Sequence, residues 1–201
     1  MGDSEQAEDE GGPAHPDAAA RASDRTIVMV GLMGAGKSSI GRRLAARLDL
    51  PFVDADSEIE AAAGCTIAEF FEQHGEAEFR DGERRVIARL LDGEPKVLAT
   101  GGGAFMDAQT RAAVAETGIS VWLRADLETL VRRTARRSSR PLLNNAAPER
   151  TLEDLMATRY PVYAQADITV ESDDGPPDET VARVVEALAA FNRRTGAAPA
   201  S

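Results

Sequence analysis

A glycine-rich run near the start of the chain carries the residue types that bind phosphate groups. Residues 31–38 read Gly-Leu-Met-Gly-Ala-Gly-Lys-Ser, which fits the pattern G-x-x-x-x-G-K-[ST]. An apolar segment precedes the run at residues 26–30, and an amphipathic segment follows at residues 37–48. In a strand–loop–helix unit of this kind, backbone N–H groups and the start of the helix face the phosphates. The run therefore predicts a nucleotide-binding loop.

Two side chains of this loop have specific expected contacts. Lys37 is expected to reach the β- and γ-phosphates of ATP, and the hydroxyl of Ser38 to ligate Mg²⁺. Lys37 is one of only two lysines among 23 basic residues, and a planar guanidinium would not replace this compact point charge. The nucleotide-binding residues predicted from the loop are Gly34, Ala35, Gly36, Lys37, Ser38 and Ser39.

Two carboxylates follow the next apolar segment, at Asp54 and Asp56. Residues two apart on a strand point the same way, so both carboxylates could enter one cleft at the end of a parallel sheet. One would hold Mg²⁺ through water, and the other would meet a substrate hydroxyl. The alternative is that Asp56 caps a helix while Asp54 is simply solvated.

The rest of the chain alternates short apolar runs with amphipathic stretches. This order is typical of βαβ units around a parallel sheet. Asp107 and Asp126 stand where helix N-caps are expected. Strands are predicted at residues 26–30, 51–53, 96–99, 119–123 and 168–170, and helices at residues 37–48, 76–91, 127–137 and 180–192.

Length, composition and charge narrow the classes of protein. A chain of 201 residues suggests one compact domain. The net charge of −11 disfavours a nucleic-acid partner, and no apolar run is long enough to cross a membrane. One cysteine and two histidines make a His/Cys metal site improbable, and a reducing, cytoplasmic location is expected. Residues 1–24 are predicted to be a disordered acidic tail, residues 25–194 the domain, and residues 195–201 a frayed end.

The surroundings of the phosphate loop favour a small-molecule kinase. The predicted strand at residues 96–99 leads into Gly101-Gly102-Gly103, whereas a motor ATPase has an acidic residue there. The chain also has no Asn/Thr-Lys-x-Asp guanine-binding motif. Residues 138–148 have no periodicity and are expected to form a loop that closes over the ligands.

An ordered set of short motifs resembles the shikimate kinase family over residues 25–192. The set comprises the phosphate loop, Val53-Asp54-Ala55-Asp56, Gly75-Glu76 with Glu78-Phe79-Arg80, Gly101-Gly102-Gly103, Arg140-Pro141-Leu142-Leu143 and Arg159-Tyr160-Pro161-x-Tyr163. The resemblance implies a three-layer α/β P-loop kinase fold with a five-stranded parallel sheet in the order 2-3-1-4-5. It also implies transfer of the ATP γ-phosphoryl group to the 3-hydroxyl of shikimate, in chorismate and aromatic amino-acid biosynthesis, with Mg²⁺ as cofactor.

The same resemblance implies roles for individual residues. Arg80 and Arg159 would bind the shikimate carboxylate, the amides of Gly102 and Gly103 the ring substituents, and Asp56 the hydroxyls. Asp54 would support Mg²⁺ through water, and Glu83 would pair with the substrate-side arginines. Arg133 would lie near the adenine and Arg140 would close over the phosphates. The implied catalytic residues are Lys37, Asp56 and Arg140.

Other interpretations stay open on the sequence alone. Arg80 and Arg159 could lie on solvated helix faces, the latter at a helix end before Pro161. The chain could be a related kinase for gluconate or a nucleoside monophosphate, or a non-catalytic nucleotide-binding relative. A monomer is expected.

Overall fold

A computed structural model describes residues 24–135 and 148–195 of the chain. The predicted acidic tail up to residue 23, residues 138–147 of the closing loop expected over residues 138–148, and the end beyond residue 195 lie outside the described residues. The described part forms a three-layer α/β fold, as predicted.

Five parallel strands form one sheet. They are β1 (Thr26–Val30), β2 (Phe52–Asp54), β3 (Val97–Ala99), β4 (Gly118–Arg124) and β5 (Ile168–Glu171). Their order in the sheet is β2-β3-β1-β4-β5, as predicted. The central strand, β1, pairs with β3 on one side and with β4 on the other. All five residues of β1 are buried, because helices cover both faces of the sheet.

Seven α-helices flank this sheet within the described residues. They are α1 (Lys37–Leu48), α2 (Ala55–Ala63), α3 (Ile67–Leu91), α4 (Ala108–Thr117), α5 (Leu127–Ala135), α6 (Pro148–Tyr163) and α7 (Pro177–Thr195). A single 3-10 turn, Ala104–Met106, follows the triple glycine.

The two central-strand neighbours Met29 and Val28 show how the layers are arranged. Met29 faces α1, because a Cβ added to Gly41 of that helix would lie 3.6 Å from the Cγ of Met29. Val28 faces the opposite side of the sheet. There, a Cβ added to Gly118, next to the end of α4, would lie 3.3 Å from the Cγ2 of Val28. Helix α7 packs on α1, and α3 packs on α4.

Local signals account for most of the helix boundaries. Asp107 caps α4 by accepting from the backbone N–H groups of Gln109 and Thr110 at 2.9 Å, and Asp126 accepts from the N–H of Thr129 at 2.7 Å. Both caps were predicted.

Helix α3 consists of two helical segments that meet at Gly75, where the backbone is not helical (φ 80°, ψ 175°). The segment after Gly75 ends at Leu91 and agrees with the helix predicted over residues 76–91. The segment before it was not predicted, and a capping box between Thr66 and Glu69 starts it at Ile67.

Two other expectations were wrong. Asp56 does not share a strand with Asp54 but lies in the first turn of α2, and Asp54 caps that helix by accepting from the Asp56 N–H at 3.2 Å. Helix α6 does not end before Pro161 but continues through it to Tyr163. Proline removes only one N–H donor, and buried packing of Tyr163 holds the last turn in place. Among the described residues, no helix has the length and apolar character to cross a membrane.

Candidate active site

The phosphate loop joins β1 to α1 at the carboxyl edge of the sheet. Gly34 and Gly36 adopt positive φ angles of 86° and 97°, which L side chains rarely tolerate. The ammonium group of Lys37 folds back over the loop and donates to the carbonyls of Gly31 at 2.8 Å and Leu32 at 3.1 Å. Gly36 also precedes α1 without a side-chain cap, so the first N–H groups of this helix face the loop cavity. This geometry suits a bound anion.

A cavity of about 340 Å³ opens beside this loop, which lies within the size range of ligand pockets. Lys37 and Ser38 line one part of it, and Arg133 and Pro177 line another. The predicted nucleotide residues Gly34, Gly36, Lys37, Ser38, Ser39 and Arg133 all line this cavity. Ala35 is buried beneath it.

Ser38 and Asp54 bring two hard oxygen donors together. The Ser38 hydroxyl donates to Asp54 Oδ2 at 2.7 Å, although the two residues are separated by 15 others in the chain. Hydroxyl, carboxylate and phosphate oxygens are ligands that Mg²⁺ accepts, and this ion usually keeps several waters in such sites. These two residues therefore fit a Mg²⁺ ion shared with a nucleotide. No cluster of three or more acidic, His or Cys side chains that could hold a metal occurs in residues 24–135 and 148–195.

Ser172 was missed by the sequence analysis, and it connects Arg133 to the phosphate loop. Its hydroxyl donates to the carbonyl of Ala35 at 2.8 Å and accepts from Arg133 Nη1 at 3.0 Å. Arg133 also donates to the Gly34 carbonyl at 3.3 Å. Ser172 directly follows β5 at the carboxyl edge of the sheet, which was the only signal in the chain that could have indicated it.

A second group of charged side chains lies at the same edge, on the other side of the phosphate loop. Arg80 on α3 donates to the carboxylate of Glu83 at 2.6 Å, as expected, and to Glu76 at 3.4 Å. Glu83 is only 3% exposed. Burial raises the pKa of its carboxyl despite the neighbouring Arg80, and the negative charges of Asp56 and Asp107 add to that rise.

The triple glycine forms the floor of this second group. A Cβ at Gly101 would lie 2.7 Å from Asp56 Oδ1 and 3.0 Å from Glu83 Oε1. A Cβ at Gly103 would lie 2.5 Å from Arg80 Nη1. Side chains at either position would displace these charged groups, so glycine is needed for their close approach.

Arg159 reaches the same floor from α6. A Cβ added to Gly102 would lie 3.3 Å from the Nη1 of Arg159. Asp56, Arg80, Gly102, Gly103 and Arg159, which were predicted as substrate-binding residues, therefore lie together. Arg140 lies outside the described residues.

Tyr163 was named in a motif by the sequence analysis but was given no role there. Its hydroxyl donates to the carbonyl of Gly102, and the positive charge of Arg159 lies close to the same hydroxyl. Gly102 and Tyr163 are 61 positions apart, so no local pattern indicates this contact.

The arrangement combines an anion-binding loop, a pair of oxygen donors for a hard cation and a second site with two guanidinium groups beside carboxylates. A guanidinium binds a carboxylate well through parallel hydrogen bonds. The geometry can hold a nucleotide and an acidic small molecule side by side, as phosphoryl transfer requires.

Comparisons with known proteins agree with this geometry. A family model for shikimate kinase matches residues 33–189. The shikimate kinase of Bradyrhizobium diazoefficiens is 61% identical over 166 residues, which cover 83% of this chain and 80% of that protein. A solved shikimate kinase from Acinetobacter baumannii, in complex with shikimate, is 39% identical with a TM-score of 0.79 and covers 84% of this chain and 95% of its own.

A gluconokinase from Sinorhizobium meliloti has a TM-score of 0.60 but only 20% identity, over 86% of this chain and 95% of its own. That likeness shows a common fold alone. The family match, the identity to a curated relative and the paired sites at the sheet edge agree, and the chain belongs to the shikimate kinase family.

Proposed function

We propose that the chain transfers the γ-phosphoryl group of ATP to the 3-hydroxyl of shikimate, giving shikimate 3-phosphate and ADP. The observation that carries this proposal is the position of Arg80 and Arg159 around the triple glycine, beside a complete phosphate loop. Shikimate offers one carboxylate and three hydroxyls, and this part of the site offers two guanidinium groups, carboxylates and close backbone approach.

The substrate-side residues have distinct proposed tasks. Arg80 and Arg159 bind the shikimate carboxylate through charge-assisted hydrogen bonds. The backbone of Gly102 and Gly103 contacts the ring substituents, since no side chain intervenes there. Asp56 accepts a hydrogen bond from the reacting hydroxyl and orients its oxygen toward the nucleotide. Glu83 keeps Arg80 in position through the 2.6 Å ion pair.

The nucleotide-side residues hold the phosphates. The loop N–H groups of Gly34 and Gly36 bind the β-phosphate, and Ala35 shapes the loop between them through its own N–H bond to the Leu32 carbonyl at 3.1 Å. Lys37 moves from the Gly31 and Leu32 carbonyls toward the phosphate oxygens. The side chain of Arg133 packs along the adenine side.

The Ser38 hydroxyl, with Asp54 behind a water, holds Mg²⁺ in this proposal. The 2.7 Å contact between the two side chains supports it. When bound, this ion neutralises phosphate charge and fixes the phosphoryl geometry.

The cytoplasm, where ATP is plentiful, is the proposed location. The proposed place in metabolism is chorismate and aromatic amino-acid biosynthesis. Both halves of the site come from one chain, which supports a monomer that binds small molecules only.

The test is ATP consumption in the presence of Mg²⁺ with shikimate, gluconate or a nucleoside monophosphate as the acceptor. Turnover with shikimate alone is expected. Lys37→Met should abolish it, whereas Lys96→Met is a matched control, since the ammonium group of Lys96 contacts the Leu90 carbonyl at 2.8 Å and is not in the site. Turnover with gluconate or a nucleotide but not with shikimate would overturn the proposal.

A further inference from the structure

Tyr163 is a fully buried residue at the end of α6, and its exposed fraction is 0%. Its ring packs in an aromatic cluster, with ring centroids 6.0 Å from Trp122 and 6.2 Å from Tyr160. Close packing on these rings leaves the phenol one orientation, which points its hydroxyl toward the triple glycine. The position of this hydroxyl is therefore set by the core and not by solvent.

The hydroxyl of Tyr163 contacts two substrate-side groups at once. It donates its hydrogen to the carbonyl of Gly102. The guanidinium of Arg159, one helical turn earlier on α6, lies beside the same hydroxyl and interacts with it electrostatically. Arg159 Nη1 would lie 3.3 Å from a Cβ on Gly102, so the three groups form one closed arrangement.

We infer that Tyr163 is a positioning residue for shikimate, because its hydroxyl holds Arg159 and the Gly102 backbone in fixed relation to one another. This inference rests on the proposed function and assigns a task to a residue that does not itself touch the substrate. A guanidinium has five N–H donors, so its contact with the Tyr163 hydroxyl leaves enough donors for a carboxylate. A fixed guanidinium loses less rotational freedom when the substrate binds.

The protonation of Tyr163 is compatible with this task. Burial raises the pKa of its hydroxyl, and the nearby Arg159 and Arg80 only partly oppose the rise. The phenol therefore keeps its hydrogen at the pH of an assay and remains a donor to the Gly102 carbonyl.

The experiment compares Tyr163→Phe with Tyr160→Phe. Each change removes one hydrogen-bonded hydroxyl from the same aromatic cluster, but Tyr160 is only half-buried and its hydroxyl donates to the carbonyl of Ala125 and not to the triple glycine. For Tyr163→Phe we expect KM for shikimate to rise about tenfold, because the Gly102 carbonyl loses its donor and Arg159 loses its neighbouring hydroxyl. We expect KM for ATP to stay within about twofold, because the hydroxyl of Tyr163 bonds to Gly102, whereas Ser172 bonds to Ala35 and Lys37 to the loop carbonyls. Tyr160→Phe should leave both KM values within about twofold.

A double variant separates positioning from general loosening of the fold. If Tyr163 acts through Arg159, adding Tyr163→Phe to Arg159→Gln should raise the dissociation constant of shikimate, measured by calorimetry without ATP, by less than about twofold. Multiplication of the two single effects would overturn the inference, as would equal increases of KM for shikimate and ATP in Tyr163→Phe. An unchanged KM for shikimate in Tyr163→Phe would overturn it too. The parent protein distinguishes the two proposals, because absence of shikimate turnover in the parent contradicts the proposed function itself.

Discussion

Removing the charge of Arg80 should make the stability of the fold depend on pH. Arg80 forms a 2.6 Å ion pair with Glu83, whose side chain is almost completely buried. When one partner of a buried pair is removed and the other stays charged, the free energy of unfolding falls by about 3 to 5 kcal/mol. Arg80→Met keeps much of the side-chain volume while removing the charge.

Glu83 can reduce that loss by taking up a proton. Its pKa is already raised by burial, which Arg80 opposes, so loss of Arg80 raises it further above the unfolded value of about 4.3. A carboxyl with a raised folded pKa contributes stability that is complete below the unfolded pKa and is lost as the pH rises through the folded pKa. The deficit of Arg80→Met should therefore be about 3 kcal/mol near pH 8 and shrink toward pH 5 by up to about 1.4 kcal/mol per pH unit.

Urea denaturation followed by circular dichroism between about pH 5 and pH 8 measures this deficit. Arg89→Met is the matched control on the same helix, because Arg89 is 61% exposed and pairs with Glu58 at the surface. Its cost should be under about 1 kcal/mol at every pH. Adding Glu83→Gln to Arg80→Met should remove the pH dependence. If Arg80→Met and the parent protein change in parallel with pH, burial of an unpaired carboxylate is the wrong explanation.

Three further predictions concern other residues. Gly82→Ala should raise the free energy of unfolding by up to about 1 kcal/mol, because a Cβ at that position meets nothing within 4 Å. Gly75→Ala should lower it by about 1 to 2 kcal/mol, because the φ of Gly75 is 80°. Equal effects of the two changes in urea denaturation would contradict this reasoning. Ser172→Ala should raise KM for ATP about threefold to tenfold and leave KM for shikimate unchanged in steady-state kinetics, since its hydroxyl contacts the Ala35 carbonyl. Asp107→Ala should cost about 1 kcal/mol in denaturation at neutral pH through loss of the helix cap. Desolvation raises the pKa of Asp107, but the hydrogen bonds from Thr110, Arg84 and Gln109 outweigh it and hold the pKa below its usual value. The cost of Asp107→Ala should therefore shrink as the pH falls below about 4, and a cost independent of pH would argue against this cap.

The parts of the fold that could be predicted are those with local causes. The phosphate loop is contiguous in sequence, and its predicted helix has the bounds Lys37–Leu48 that the structure shows. The caps at Asp107 and Asp126 also depend only on residues within three positions. The sheet order followed from the family resemblance and not from the strand patterns themselves.

The parts that escaped prediction depend on distant contacts. Ser172 bonds to a carbonyl 137 positions earlier, so no local pattern could reveal its partner. The prediction that Asp54 and Asp56 share a strand was wrong because β2 ends at Asp54 and α2 begins at Ala55. The spacing of the two residues does not reveal where the strand ends.

The contact between Ser172 and Ala35 has a consequence for synthesis of the protein. The phosphate loop is made early, but the residues that complete its cavity, Ser172 and Pro177, belong to the last part of the chain. A nascent chain that has emerged only to residue 135 carries the loop without the wall that faces it. The side of the nucleotide cavity that Ser172 and Pro177 form is therefore added after the loop, and ATP bound in the whole cavity should stabilise the fold more than ATP bound to the loop alone.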